Sequence, residues 1–293
     1  MTLNNAEIAA AKALIHLALV EDMGQRGDLT SSATIPENAV GQANVVARAA
    51  GVVAGLPLAA LVFAAVDARL GFEPRTLDGA VVQPGDVLAM GAGPMRAILA
   101  AERTALNFLQ HLSGVATLTR RYVDSAGGRA QIFDTRKTTP GWRLLEKYAV
   151  RCGGGHNHRL GLDNAILIKD NHVQALGGGV GGTRAAIAAA RAHAPGLPIE
   201  VEVDSLEQFE AALAARPEII LLDNMNPDLL KQCVGRRDVV AKEVQLEASG
   251  GVNLETVVAI AATRVDRISV GALTHSAPAL DIALDYTPAT HVR

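Results

Sequence analysis

Hydrophobic and polar positions change period several times along the first third of the chain. Ile8, Leu14, Ile15, Leu17 and Ala18 recur at helical spacing, which predicts a helix over 5–21. It runs into EDMGQRGDLTS, where Gly24 and Gly27 predict a loop. Residues 41–54 read as a strand and 57–70 as a helix with Pro57 in its first turn. Short strands at Val81-Val82 and Val87 to Met90 flank the turn sequence Gln-Pro-Gly-Asp. From Pro94 to about Ala126, Ile98, Leu99, Ala105, Leu106, Phe108, Leu109 and Leu112 form the apolar stripe of one long helix. Arg103 lies near its polar side, and taken alone it reads as a solvated charge or half of an Arg–Glu pair.

After Gly127-Gly128 the rhythm shifts. Apolar runs at Ile132-Phe133, Ala165–Ile168, Ile199–Val203, Ile219–Leu222, Val244–Leu246 and Ile268–Val270 alternate with amphipathic, alanine-rich stretches. Those stretches cover 183–194, 205–215, 226–234 and 253–263. Alternating strand and helix predicts βαβ units, a parallel sheet and a closed or nearly closed barrel. Each run stops at polar or glycine residues: Asp134-Thr135-Arg136-Lys137, Lys169-Asp170-Asn171-His172, Glu202 with Asp204, Asp223-Asn224, Glu247-Ala248-Ser249-Gly250-Gly251, and Gly271-Ala272 after Val270. The C-terminal strand ends of such a barrel share one face, where active sites lie.

Composition narrows the choice of ligand. With 293 residues, 49% hydrophobic, the chain has material for one large core or two modest ones. A net charge of −3 and 3% aromatics argue against a nucleic-acid surface. Cys152 and Cys233 imply no disulfide framework, and the N-terminus lacks a signal peptide pattern, so the expectation is a cytoplasmic protein. Ala49–Val66 carries no charge over eighteen residues, the length of a membrane span. Gly51, Gly55 and Pro57 interrupt it, and a strand followed by a helix fits better.

In a chain of negative net charge, the cations of 132–172 are conspicuous. Arg136, Lys137, Lys169, His158 and Arg159 would meet on the strand-end face, where guanidinium forks and ammonium groups suit carboxylates or phosphates. Glu202 and Asp223 offer oxygen ligands for Mg²⁺, directly or through water. Ser249, Gly250, Gly251, Gly271 and Ala272 offer backbone N–H groups to a phosphate. Together they describe a phosphorylated sugar substrate with a metal. Gly177–Gly182 formally satisfies GxGxxG but follows no strand directly, so it reads as a flexible loop. His156 and His158 beside Cys152 lack a second ligand pair for zinc.

The motifs DTRKTTPGWR, GGGHNHRLGLDNAILIKDNH, VEVDS, LLDN, EASGGV and SVGALTHS closely resemble those of quinolinate phosphoribosyltransferase, the carboxylating nicotinate-nucleotide pyrophosphorylase family. EDMGQRGDLTS and ERTALNFLQHLSGVAT extend the resemblance over essentially the whole chain. It implies an α/β fold: an N-terminal α/β sandwich (1–114, with 276–293 packing back on it) and an open (β/α) barrel of the type II phosphoribosyltransferase kind (115–275). It implies a homodimer that transfers phosphoribosyl from PRPP to quinolinate with Mg²⁺, releasing pyrophosphate and CO₂ and forming nicotinate mononucleotide. Carried over by motif, Arg136, Lys137, His158, Arg159 and Lys169 hold the quinolinate carboxylates and nearby phosphate oxygens, with Thr135 beside them. Glu202 and Asp223 face ribose and metal, and Lys137, Lys169, Glu202 and Asp223 carry the chemistry. Ser249, Gly250, Gly251, Val270, Gly271 and Ala272 take the phosphate, and Arg103 enters from the neighbouring subunit. Trp142 stands where the family pattern suggests a smaller aliphatic residue. Two rivals stay open on the residues: a relative on the same scaffold that handles nicotinate or serves metal transport, and a non-catalytic sensor of a phosphorylated metabolite.

Overall fold

The computed structural model describes residues 1–288 and divides into two compact units. Unit 1 comprises 1–120, 138–154 and the residues from 273 on; unit 2 comprises 121–137 and 155–272. The elements begin with α1 (Asn5–Met23), α2 (Leu29–Thr34), β1 (Val40–Ala47), β2 (Gly51–Val52) and α3 (Leu56–Val66). Next come β3 (Gly71–Pro74), β4 (Val81–Val82), β5 (Val87–Pro94), α4 (Met95–Ala126), β6 (Gln131–Phe133) and α5 (Arg143–Cys152). They continue with β7 (Ile166–Ile168), α6 (Asp170–Ala175), α7 (Gly179–His193), β8 (Ile199–Val203), α8 (Leu206–Ala215) and β9 (Ile219–Asp223). The last are α9 (Pro227–Val240), β10 (Gln245–Ser249), α10 (Val257–Ala261), β11 (Arg267–Ser269), α11 (Ala272–His275) and β12 (Ile282–Pro288).

Unit 1 is built on an antiparallel sheet in the order β12-β1-β5-β3, with a separate β2–β4 ladder. The first half of β1 alternates between exposed and buried, as a strand with one covered face should. A register shift against β5 at Val45/Val46 ends the alternation, and Val45, Val46 and Ala47 are all buried. The apolar stripe of α4 is realised: Ile98, Ala105, Leu106, Phe108, Leu109 and Leu112 are buried. Gly114 in the same helix is forced by packing, since a Cβ there would lie 2.1 Å from the Pro278 carbonyl oxygen. The expected domain boundary between residues 114 and 115 falls inside α4.

Unit 2 carries a parallel sheet in the order β6-β11-β10-β9-β8-β7, the open (β/α) barrel arrangement. Its inner strands β8 and β9 are buried along nearly their whole length because helices cover the outside and side chains fill the inside. The opening falls between β6 and β7, where the connection includes α5. Strand ends turn into helices through side-chain caps. Ser205 Oγ accepts from Gln208 N–H at the start of α8, and Asn226 Oδ1 accepts from Asp228 and Leu229 N–H at the start of α9.

Several local expectations change. Part of the expected loop at 21–31 is helical, because the Asp28 carboxylate accepts the Ser31 N–H and caps α2. The single strand over 41–54 breaks at 48–50, and the helix expected to 70 ends at Val66. Gly179–Gly182 open α7 instead of forming a loop. The strand β3 and the helix α5 had no clear periodic signal. Tertiary contacts hold α5: its Glu146 accepts the Thr139 N–H at 3.0 Å, and its Arg151 meets Glu7 at 2.7 Å. No helix among the described residues is long and apolar enough to cross a membrane, and the uncharged 49–66 stretch is divided between β2 and α3.

Candidate active site

The cationic edge starts at β6. The Ile132 carbonyl accepts the His156 N–H and the His156 carbonyl accepts the Asp134 N–H, so residues around His156 add a rung alongside Phe133. Asp134, fully buried, then accepts from Asn157 Nδ2 at 2.6 Å and from the His158 N–H at 2.9 Å. These bonds fix His158 and Arg159 beside Arg136 and Lys137, although some twenty residues separate the pairs. Thr135 Oγ1 accepts the Lys137 N–H at 3.0 Å and tightens the turn that leaves Lys137 exposed.

Arg159 donates from one terminal nitrogen to the Ala165 carbonyl at 3.3 Å, while its buried Nε has no hydrogen-bond partner. Burial and the nearby Arg136 guanidinium hold its pKa below the usual arginine value. Two guanidiniums side by side, one with an unanswered buried donor, call for an anion.

The opposite sign gathers at the next strands. Lys169, between β7 and α6, places its Nζ 3.1 Å from Glu202 Oε2 at the end of β8. Glu202, Asp223, Asp170 and Asp204 contribute to the lining of a cavity of about 100 Å³. An all-oxygen donor set of this kind fits a hard divalent cation such as Mg²⁺. At the end of β9, Asn224 adopts a left-handed conformation (φ 54°), donates its N–H to the Ser249 carbonyl at 2.9 Å, and donates from Nδ2 to Asp223 at 2.8 Å. Gly250 follows Ser249 with φ +93°, and a Cβ there would sit 2.2 Å from Asn224 Oδ1. Gly251 is also left-handed (φ 59°), so exposed backbone, not side chains, forms this corner. Val270 is buried and donates its N–H to the Phe133 carbonyl, and Gly271 and Ala272 lead into α11.

Beneath the cationic edge lies a group that pattern reading missed. His158 Nε2 is 2.9 Å from Glu200 Oε2 and 3.5 Å from Glu247 Oε1, and both acids are buried. Arg267 Nε lies 3.2 Å from Glu247 Oε2, an ion-pair distance without hydrogen-bond alignment, and its guanidinium covers the Phe133 ring at 3.8 Å. Burial opposes a charged His158, but the Glu200 hydrogen bond and the charges of Glu200 and Glu247 outweigh it and push its pKa up to about 9. Burial in turn raises the Glu200 pKa. The signal was present in IEVEV: Glu200 and Glu202 alternate with apolar residues, so both carboxylates sit on one face of β8. Arg103 belongs to unit 1, where it is exposed on α4.

Two family domains match the chain: quinolinate phosphoribosyl transferase, N-terminal domain, over residues 28–113, and its C-terminal domain over 115–285. The chain belongs to the quinolinate phosphoribosyltransferase family. It is 49% identical over 286 residues to the nicotinate-nucleotide pyrophosphorylase [carboxylating] of Mycobacterium leprae, covering 97% of this chain and 99% of that protein. It is 42% identical over 288 residues to quinolinate phosphoribosyltransferase [decarboxylating] 1b of Nicotiana tabacum, covering 93% and 81%. The crystal structure of NadC from Streptococcus pyogenes superposes with a TM-score of 0.90 at 40% identity, over 98% of this chain and 99% of that one. Members of the family are pentosyltransferases of de novo NAD biosynthesis, and this chain is one of them.

Proposed function

We propose that the strand-end face of unit 2 transfers phosphoribosyl from PRPP to quinolinate and releases CO₂ and pyrophosphate to give nicotinate mononucleotide. The observation that carries this reading is the segregation of charge along one edge. Cations stand at β6 and β7, carboxylates at β8 and β9, and a glycine corner at β10. Arg136, Lys137, His158, Arg159 and Lys169 hold the two adjacent carboxylates of quinolinate, with Thr135 shaping the turn that presents Lys137. Glu202 and Asp223 face the ribose. Ser249, Gly250, Gly251, Val270, Gly271 and Ala272 border the phosphate.

The ring nitrogen attacks the anomeric carbon as the bond to pyrophosphate breaks, so positive charge develops on the ribose and negative charge on the leaving group. Glu202 and Asp223 stabilise the first by their charge. Glu202, Asp223 and their neighbours would hold Mg²⁺, directly or through water, and when bound it would supply charge neutralisation at the pyrophosphate. Once the ring nitrogen is quaternised, the adjacent carboxylate departs as CO₂, its bonding pair stays on the ring carbon as an ylide stabilised by the pyridinium charge, and a proton from solvent then takes the place of the carboxylate. The protein's own task is orientation, and no covalent nucleophile is used.

The resemblance further supports a cytoplasmic homodimer with Arg103 supplied across the interface, and exposure of that side chain leaves it available. Incubating the protein with Mg²⁺, PRPP and either quinolinate or nicotinate tests the reading. CO₂ and mononucleotide are expected with quinolinate, and turnover of nicotinate alone would redirect the assignment to a monocarboxylate.

A further inference from the structure

We propose that Glu200 and Glu247, backed by Arg267, are positioning residues for the dicarboxylate site, holding the His158 ring and through it the Arg159 backbone beneath the cationic edge. The inference rests on reading that edge as the quinolinate clamp.

The geometry runs as a chain of contacts from the interior of unit 2 to its edge. Arg267 stands opposite Glu247 in the parallel register of β10 and β11 and lies at ion-pair distance from it. Glu247 and Glu200 both approach His158 Nε2. On the far side of the ring, Nδ1 accepts the Arg159 N–H at 2.8 Å. Arg159 in turn is the residue whose buried Nε lacks a hydrogen bond.

The acids themselves are under-satisfied. Glu200 Oε1 and both oxygens of Glu247 are buried without hydrogen-bond partners. An apolar pair of the same volume would fill this space at lower cost, because unsatisfied buried charge is expensive. Among the described residues His158 lies at ion-pair distance from both acids and Arg267 from Glu247, so each acid faces a cation. A metal could be imagined on His158, Glu200 and Glu247, whose ligand atoms lie within 4.8 Å of one another. Arg267 already supplies positive charge there, and the ion-pair reading accounts for its placement.

The charged groups around the ring are Glu200 from β8, Glu247 from β10, Arg267 from β11, Asp134 from the end of β6, and Arg136 and Arg159 at the edge. Among them the two buried acids favour an imidazolium, whereas the Arg159 N–H requires the Nδ1 lone pair.

The test compares wild type, Glu200→Gln and Glu247→Gln, using calorimetric binding of phthalate, which has two adjacent carboxylates but no ring nitrogen to alkylate. Each glutamine keeps volume and an acceptor but removes the charge. Phthalate affinity is expected to fall about tenfold or more, while the KM for PRPP stays within about twofold. Unchanged phthalate affinity in both variants overturns the proposal. So does an equal loss of PRPP and phthalate affinity, which marks a merely structural role. Thermal unfolding identifies a variant that fails to fold, and the other glutamine then carries the comparison. Arg159→Ala serves as the control for the clamp itself: if it binds phthalate normally, the clamp reading fails, and not the positioning role.

Discussion

Lys169 Nζ lies 3.1 Å from the Glu202 carboxylate, so a cation assigned to quinolinate and an acid assigned to the ribose neutralise each other. The pair is half-exposed on the lysine side, and such bridges contribute only about 0–1 kcal/mol to stability. On the proposed reading its value is in catalysis. Lys169→Ala should leave the unfolding midpoint nearly unchanged and lower kcat/KM for quinolinate by about tenfold to a hundredfold, the worth of one charge-assisted hydrogen bond. Full turnover in this variant would remove Lys169 from the site.

Gly250→Ala meets two obstacles at once: a left-handed backbone and the Asn224 side chain at 2.2 Å from the new Cβ. A cost of about 1–3 kcal/mol in chemical denaturation is expected. Because the corner borders the proposed phosphate position, the KM for PRPP should rise more than that for quinolinate. Wild-type KM values for both would show that the corner does not shape the site.

His158 links stability to pH. Its folded pKa, raised to about 9, exceeds the unfolded value near 6.5. Protonation therefore stabilises the fold fully below about 6.5, and this contribution is lost as pH rises through about 9. Melting curves taken between those limits should fall with pH in wild type and lose that component in His158→Gln. An identical slope in the two proteins would show that the ring does not titrate as described.

If Arg103 acts across a dimer interface, Arg103→Ala and Lys137→Ala each inactivate a different half of the same site. Mixing the two inactive proteins under conditions of subunit exchange should restore about a quarter of the wild-type sites, from random pairing. No recovery despite demonstrated exchange argues against a shared site.

If Glu202 and Asp223 hold Mg²⁺ as proposed, catalysis requires the cation. Turnover should stop on addition of a chelator and return with Mg²⁺. In Glu202→Gln the concentration of Mg²⁺ needed for half-maximal rate should rise. Undiminished turnover after complete metal removal would rule out that role.

The local pattern was enough for most strands of unit 2, because each is a short apolar run buried on both sides and stopped by polar residues. It was enough for α4, whose stripe repeats over many turns. It failed at α5 and β3, where helix and strand are held by partners distant in sequence, and at 48–50, where a mostly apolar stretch conceals a bend between strands of two different sheets. Among site residues, Arg136, Lys137, Lys169, Glu202 and Asp223 stood out as charges ending apolar runs. Glu247 also closes an apolar run and Glu200 alternates with apolar residues in IEVEV, but neither pattern shows that the two acids meet on one histidine.

By itself, then, the sequence determined the alternation of strand and helix, the polar character of every strand end and the family, because these depend on residue type and spacing. Only the tertiary structure decided that His158 is fastened from below by two acids, that Asp134 anchors its loop, and that Lys169 faces Glu202. Those relationships join residues tens of positions apart through side-chain contacts, and distance along the chain carries no record of them until the sheet forms.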